Sequence, residues 1–227
     1  MWQLTSFSKS KYPEKNVEAI LRTHIQKCKN TVFVFSGSQW HMMQNIFFSA
    51  SRPFYQSASF LDIDPIKIEP YRKFVHHHFG RAGKKIGDGC VTRIYNLLEG
   101  HTRYMQTILN RIYEQTDRDE EISVAGADHI LHMTVESNKT VYQSMVSMLS
   151  ERQKEVLFAI AKERKAAEIT SAAFVKKHGL HSPSSVQSAV KQLLDKEFVT
   201  KQNAVYQIYD RFFGLWLSKA YGTGYGL

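Results

Sequence analysis

The chain has 227 residues and a mass of 26.2 kDa, with 43% hydrophobic and 22% charged side chains, a balance that excludes disordered and fibrous classes and suffices for one or two cores. Thirty Lys and Arg against 21 Asp and Glu give a formal charge of +9, which favours an acidic partner such as nucleic acid or a nucleotide phosphate. Cys28 and Cys90 lack C-x-x-C spacing and a His partner at zinc-finger distance, which argues against a disulfide framework and a structural zinc site and fits a reducing, cytoplasmic compartment.

The opening residues, Met1-Trp2-Gln3-Leu4-Thr5-Ser6, lack the charged and apolar regions of a secretion signal, and no apolar stretch approaches the length of a membrane span. Trp2, Leu4 and Phe7 read like the middle of a domain. A helical pattern starts near Lys15, with Val17, Ile20, Leu21, His24, Ile25 and Cys28 at helical spacing. After Asn30, Thr31-Val32-Phe33-Val34-Phe35 has the character of a parallel strand buried on both faces. Such a strand needs neighbours, and the first 80 residues offer only one weaker run, Ser59-Phe60-Leu61-Asp62-Ile63. The middle of the chain is helical through 68–79, 91–98, 101–113 and 125–149, punctuated by glycines and by the acidic cluster Asp117–Glu121.

From Ser150 the pattern predicts a winged helix. Ser150 is a candidate N-cap, with Val156, Leu157, Ile160 and Ala161 as the stripe of a first helix. Thr170 is expected to cap 171–178, and Gly179-Leu180-His181 makes the turn of a helix-turn-helix. Ser182-Pro183 opens a third helix whose core face is Val186, Ala189, Val190, Leu193 and Leu194. That leaves Ser184, Ser185, Gln187, Ser188, Lys191 and Gln192 for solvent or a DNA groove. Two short strands, 198–201 and 204–208, flank a polar Asn203 turn and supply the wing, and a final helix runs over 210–220. The DNA-binding candidates are Ser184, Ser185, Gln187, Ser188, Lys191 and Lys201, the lysines for phosphates and the Ser and Gln side chains for bases. Against them stands a protein-contact role, since only Lys191 supplies positive charge on that helix face.

The segment Val34-Phe35-Ser36-Gly37-Ser38, followed by Met42-Met43 and Arg52-Pro53-Phe54-Tyr55, resembles the archaeal-type ATPases, a branch of the P-loop AAA and STAND ATPases. The leading stretch Tyr12–Arg22 resembles the segment just after the Walker B acids in that family. The ending Tyr206-Gln207-Ile208-Tyr209-Asp210 with Phe213 and Trp216 resembles its close. The resemblance covers nearly the whole chain but only the second half of the expected protein. It implies a mainly α fold with a partial α/β sheet: the end of a P-loop AAA-type core over 1–66, a helical lid over 67–149 and a winged helix over 150–220. It also assigns Ser36, Gly37 and Ser38 to the sensor-1 position beside a γ-phosphate, and Arg52 to phosphate or inter-subunit sensing. Relatives often carry Gly-Arg after the Tyr, whereas here Gln56-Ser57 follows Tyr55.

What is missing decides the chemistry. No segment matches G-x-x-x-x-G-K-[ST], whose glycines and Lys cradle phosphates. Gly80-Arg81-Ala82-Gly83-Lys84-Lys85 has the wrong glycine spacing and follows a helix, and Phe60-Leu61-Asp62-Ile63-Asp64 is too broken for a Walker B strand. ATP and Mg²⁺ are therefore expected only if another polypeptide supplies a P-loop half, and negligible ATPase activity is expected of this chain alone. Three adjacent histidines, His76-His77-His78, cannot converge on one ion from a helix, and complement its C-terminal dipole instead. His129 and His132, at i,i+3 helical spacing, are read as a surface pair, so neither a metal site nor a catalytic residue is assigned. The expected partners are a missing ATPase half or partner subunit and, through the winged helix, DNA; a membrane is not expected.

Overall fold

The computed structural model describes residues 14–37, 40–61 and 63–222, which divide into two compact units, Met1–Asp64 and Pro65–Leu227. The described residues form eleven helices and small sheets, with a winged helix at the C-terminal end.

The first unit contains α1 (Glu14–Lys27) and α2 (Trp40–Phe48). Its core is small. Ile46, Phe47 and Phe54 are buried, with Leu21, Ile25, Phe35, Met42 and Met43 packed against them. The Phe35, Phe47 and Phe54 rings form a mutual cluster at centroid distances of 5.2 to 5.7 Å. The strand expected at 31–35 does not form: Val32 and Val34 are 89% and 87% exposed, and only Phe35 is drawn inward. A parallel strand takes its hydrogen bonds from flanking strands, and none flanks this run among the described residues. The weaker run behaves alike, with Leu61 and Ile63 exposed; its Asp62 lies outside the described residues. Of the expected stripe, Ile20 and His24 of α1 and Cys28 just beyond it face solvent, while Glu18 is buried. The inward face is selected by an ion pair between Glu18 and Arg52 as well as by Leu21 and Ile25.

The second unit begins with α3 (Ile68–Arg81), β1 (Lys85–Ile86), α4 (Asp88–Leu98), α5 (Thr102–Gln115) and β2 (Glu121–Ile122). The two strands pair in parallel, Lys85 with Glu121 and Ile86 with Ile122, across the α4–α5 crossover. The helix expected over 125–149 is broken into α6 (Val124–Glu136) and α7 (Lys139–Ser147). At the break, Ser137 Oγ and Asn138 Nδ2 both donate to the Thr134 carbonyl, at 2.8 and 3.2 Å, in place of the helical ladder.

The winged helix comprises α8 (Glu151–Glu163), α9 (Ala172–Lys177), α10 (Pro183–Asp195), β3 (Val199–Gln202), β4 (Val205–Ile208) and α11 (Arg211–Tyr221). Ser150 and Gln153 form a reciprocal capping box on α8. Ser171, one residue later than expected, caps α9, because its hydroxyl reaches the Phe174 amide. Ser182 caps α10 with Pro183 at its first turn. The wing is an antiparallel hairpin in register Val199–Ile208 to Gln202–Val205. Ala166 adds a bridge that periodicity could not show, exchanging two backbone hydrogen bonds with Tyr206.

One hydrophobic core runs from α3 to α11. Tyr104 meets Phe212 at 4.9 Å, and Tyr142 meets Phe213 and Trp216 at 5.2 and 5.6 Å, so aromatic side chains of α5, α7 and α11 join the helical section to the winged helix across the expected boundary at residue 149.

Candidate functional site

Ser36 and Gly37 lie exposed in the irregular segment that leads toward α2. Gly37 sits against Met43, where a β-carbon would fall 2.9 Å from the sulfur of that flexible side chain, which would have to shift. Ser38, expected in the sensor position, lies outside the described residues. Arg52 is placed by a turn in which its amide donates to Ser49 O and its carbonyl accepts from the Tyr55 amide. Its guanidinium pairs with Glu18, both side chains being largely buried, and Arg22 donates to the neighbouring Pro53 carbonyl. Ser36, Gly37 and Arg52 therefore belong to one small unit, with Arg52 held by an acid of α1. Gln56 adopts φ +52°, the left-handed conformation that glycine takes without strain.

The second group lies on α10 and the wing. Ser184, Gln187, Ser188 and Lys191 are exposed at spacings of three and four, one stripe along the helix, while Ser185 is half-buried. Ser182 Oγ lies 3.2 Å from Ser184 Oγ. Lys201 is exposed on β3 with its ammonium 5.0 Å from the Tyr206 ring centroid. Gln192 is committed elsewhere, accepting from Gln153 Nε2, and Lys196 donates to Gln153 Oε1. Leu194 is half-buried, whereas Val186, Ala189, Val190 and Leu193 are buried.

Elsewhere, Gly80 and Arg81 belong to α3, and Gly83 turns the chain at φ +70°. Lys84 donates to the Tyr113 carbonyl at 2.6 Å and lies over that ring, so its ammonium is committed within the fold. His76 pairs with Asp88 at 2.7 Å, and His132 contacts Lys219. Cys90 is buried and donates to the Ile122 carbonyl, and burial pushes its thiol up. Sequence reading missed one polar junction: Glu99, at φ +55° on the end of α4, accepts from Gln207 Nε2 at 3.0 Å and pairs with Arg211 at 3.2 Å and Lys165 at 3.7 Å. Its members come from three distant segments, around residues 99, 165 and 207–211, so no local spacing announces them.

Residues 140–219 match a protein family described as a probable winged helix domain. No curated protein matches the chain. Among solved structures, the Walker-type ATPase of Pyrococcus abyssi is similar at 13% identity with a TM-score of 0.63, over 92% of this chain. The chain spans 59% of that ATPase's length. At this identity the likeness is one of fold: the chain resembles part of an archaeal Walker-type ATPase and carries a winged helix at its C-terminal end.

Proposed function

We propose that this chain is the sensor, lid and winged-helix portion of a nucleotide-switched AAA/STAND-type regulatory ATPase, inactive in ATP hydrolysis alone. The observation that carries this reading is a fold shared over 92% of the chain with 59% of a Walker-type ATPase, in a sequence that contains no G-x-x-x-x-G-K-[ST]. Phosphoryl transfer depends on positioning and electrostatics that a P-loop and a Mg²⁺-holding acid provide. ATP and Mg²⁺ would then be held by a P-loop half supplied from elsewhere. Ser36, Gly37 and Ser38 would sit at the γ-phosphate, and Arg52 would sense its charge after exchanging Glu18 for phosphate. The continuous core from lid to winged helix would carry the state of the nucleotide to α10 as a two-state shift. The free thiols Cys28 and Cys90 fit a reducing, cytoplasmic setting. The test is the coding sequence upstream of Met1, translated in all frames. A strand followed by a P-loop and an apolar strand ending in acids is expected, and their absence overturns the reading, as does P-loop-like ATP turnover by the purified chain.

A second reading rests on the exposed stripe of α10: a winged helix that binds duplex DNA through Ser184, Ser185, Gln187, Ser188 and Lys191, with Lys201 on a phosphate. Duplex binding that weakens steeply with salt and falls on Lys191→Ala with Lys201→Ala supports it. No binding at low salt rejects it and leaves the same face as a protein contact.

A further inference from the structure

The densest positive charge lies outside both sites. Between Lys67 and Lys85 six Lys and Arg side chains face one acid, Glu69, so these 19 residues carry five of the nine formal charges in excess. The helix α3 sorts them by face. Tyr71, Val75 and Phe79 are buried in the core. On a second flank Arg72 and His76 are paired: Arg72 with Glu69 at 2.7 Å and with Asp88 at 3.3 Å, and His76 with Asp88 at 2.7 Å. The remaining face carries Lys67, Lys73, Phe74, His77, His78 and Arg81, all exposed. Within α3 the spacings of three, four and seven among Lys73, Phe74, His77, His78 and Arg81 place them along one side over about 12 Å of helix, and Lys67 stands at its N-cap.

That face contains rings as well as charge. Phe74 is 51% exposed, a large apolar side chain with open surface in a cationic setting. Its ring meets His78 at 4.4 Å, and His78 meets His77 at 5.4 Å, so three exposed rings are in continuous contact. Toward its C-terminal end the helix gives way to a turn where Gly83 accepts from the Asp119 amide and lies against the Arg118 side chain. Cations spaced along a helix answer a repeating polyanion. Exposed rings between them answer flat aromatic groups, which an acidic peptide or a phospholipid headgroup does not regularly offer.

We infer that the Lys67–Arg81 face of α3 binds single-stranded nucleic acid, with unpaired bases stacking on Phe74 and the adjoining imidazoles while Lys67, Lys73 and Arg81 contact phosphates. The surface is separate from α10, and the inference does not rest on the ATPase reading. Stacking on a side chain is tolerant of sequence, so a homopolymer suffices as probe.

The experiment is fluorescence anisotropy of labelled oligothymidylate titrated with the full chain at low and moderate salt. Binding is expected, with Phe74→Ala weakening it roughly tenfold and Phe74→Trp retaining it. Lys73→Ala with Arg81→Ala should flatten the salt dependence by about 0.7 in logarithmic slope for each phosphate that is no longer neutralised. Lys191→Ala with Lys201→Ala should leave single-strand binding unchanged. Because Phe74, Lys73 and Arg81 are exposed, unchanged circular dichroism and Tm separate loss of binding from loss of fold. No binding at low salt overturns the inference. So does binding that ignores Phe74→Ala but disappears in the α10 double variant. Capture of phosphatidylserine vesicles without any affinity for oligothymidylate overturns it as well, and reassigns the face to an anionic membrane surface.

Discussion

Two β-prone stretches of this chain meet opposite fates. Thr31-Val32-Phe33-Val34-Phe35 is the more hydrophobic, yet Val32 and Val34 are exposed and the run forms no strand. Val199–Gln202 and Val205–Ile208 are more polar and pair fully. The hairpin carries its partner two residues away, so closing it costs little chain entropy. A parallel strand needs a partner across a long crossover, and hydrophobicity alone cannot replace the missing ladder of hydrogen bonds. The same contrast separates the two units. One hangs a few side chains on a three-phenylalanine cluster, and the other builds a core from α3 to α11.

The largest expected effect lies in the larger core. Leu157 of α8 is fully buried, so Leu157→Ala should cost about 3 kcal/mol through lost transfer energy and a residual cavity. For a unit of this size that lowers Tm by roughly 6 to 12 °C in calorimetry. Phe54→Ala removes one of three mutually packed rings, and the loss should read out in hydrogen exchange of the amides that close that turn, Arg52, Tyr55, Gln56 and Ser57. Global unfolding at a lower Tm with no local change in exchange would break the contrast between a large core and a small one.

Legibility followed the same division. The winged helix was readable because each element announces itself: Ser150, Ser182 and Pro183 mark starts, apolar positions recur at 186, 189, 190 and 193, and a polar turn splits two short strands. The family match over residues 140–219 agrees with that reading. The helices of the middle section were legible for the same reason, whereas the break at Ser137 depends on two side chains competing for one carbonyl. The two-residue strands β1 and β2 are too short to show a period. The resemblance pointed to Arg52, but its partner Glu18 lies 34 residues away and could not be read from spacing. The basic face of α3 emerges only when buried and paired residues are removed from the helix.

The hairpin side of the comparison can be sharpened by improving its turn. Asn203 and Ala204 both adopt positive φ, +47° and +63°, as a two-residue turn matched to strand twist requires. Alanine in that region bears a β-carbon clash, so Ala204→Gly should raise stability by about 1 kcal/mol despite the added freedom of the unfolded chain. An increased urea midpoint at constant m-value checks this. A decreased midpoint would mean that entropy outweighs strain at the turn.

A smaller effect tests the link between α8 and α9. Glu163 accepts from Lys177 at 2.6 Å and from His178 at 2.9 Å, and the Lys177 hydrogen bond, opposed by burial and aided by His178, holds its carboxyl below the usual range. A depressed folded pKa stabilises above the unfolded value of about 4.3, and that contribution is lost as pH falls through the folded value. Glu163→Gln should therefore lower stability by under about 1 kcal/mol at pH 7, since the pair is partly solvated, and by progressively less as the acid limit is approached. A deficit that persists unchanged in acid would show that Glu163 acts through packing rather than charge.

The smallest expected effect probes the bare run itself. If Val32 and Val34 face solvent, Val32→Thr with Val34→Thr removes no buried apolar surface, and Tm should stay within the change of about 0.5 kcal/mol usual for surface positions. Solubility should rise, because an exposed apolar run with free backbone groups is a template for pairing with other chains. The two readouts separate two states of the run. A drop in stability with unchanged solubility would mean that these valines already lie against a neighbouring strand in the molecule in solution. Unchanged stability with higher solubility would mean that the run waits for a strand from another polypeptide, which is what the proposed P-loop half would supply.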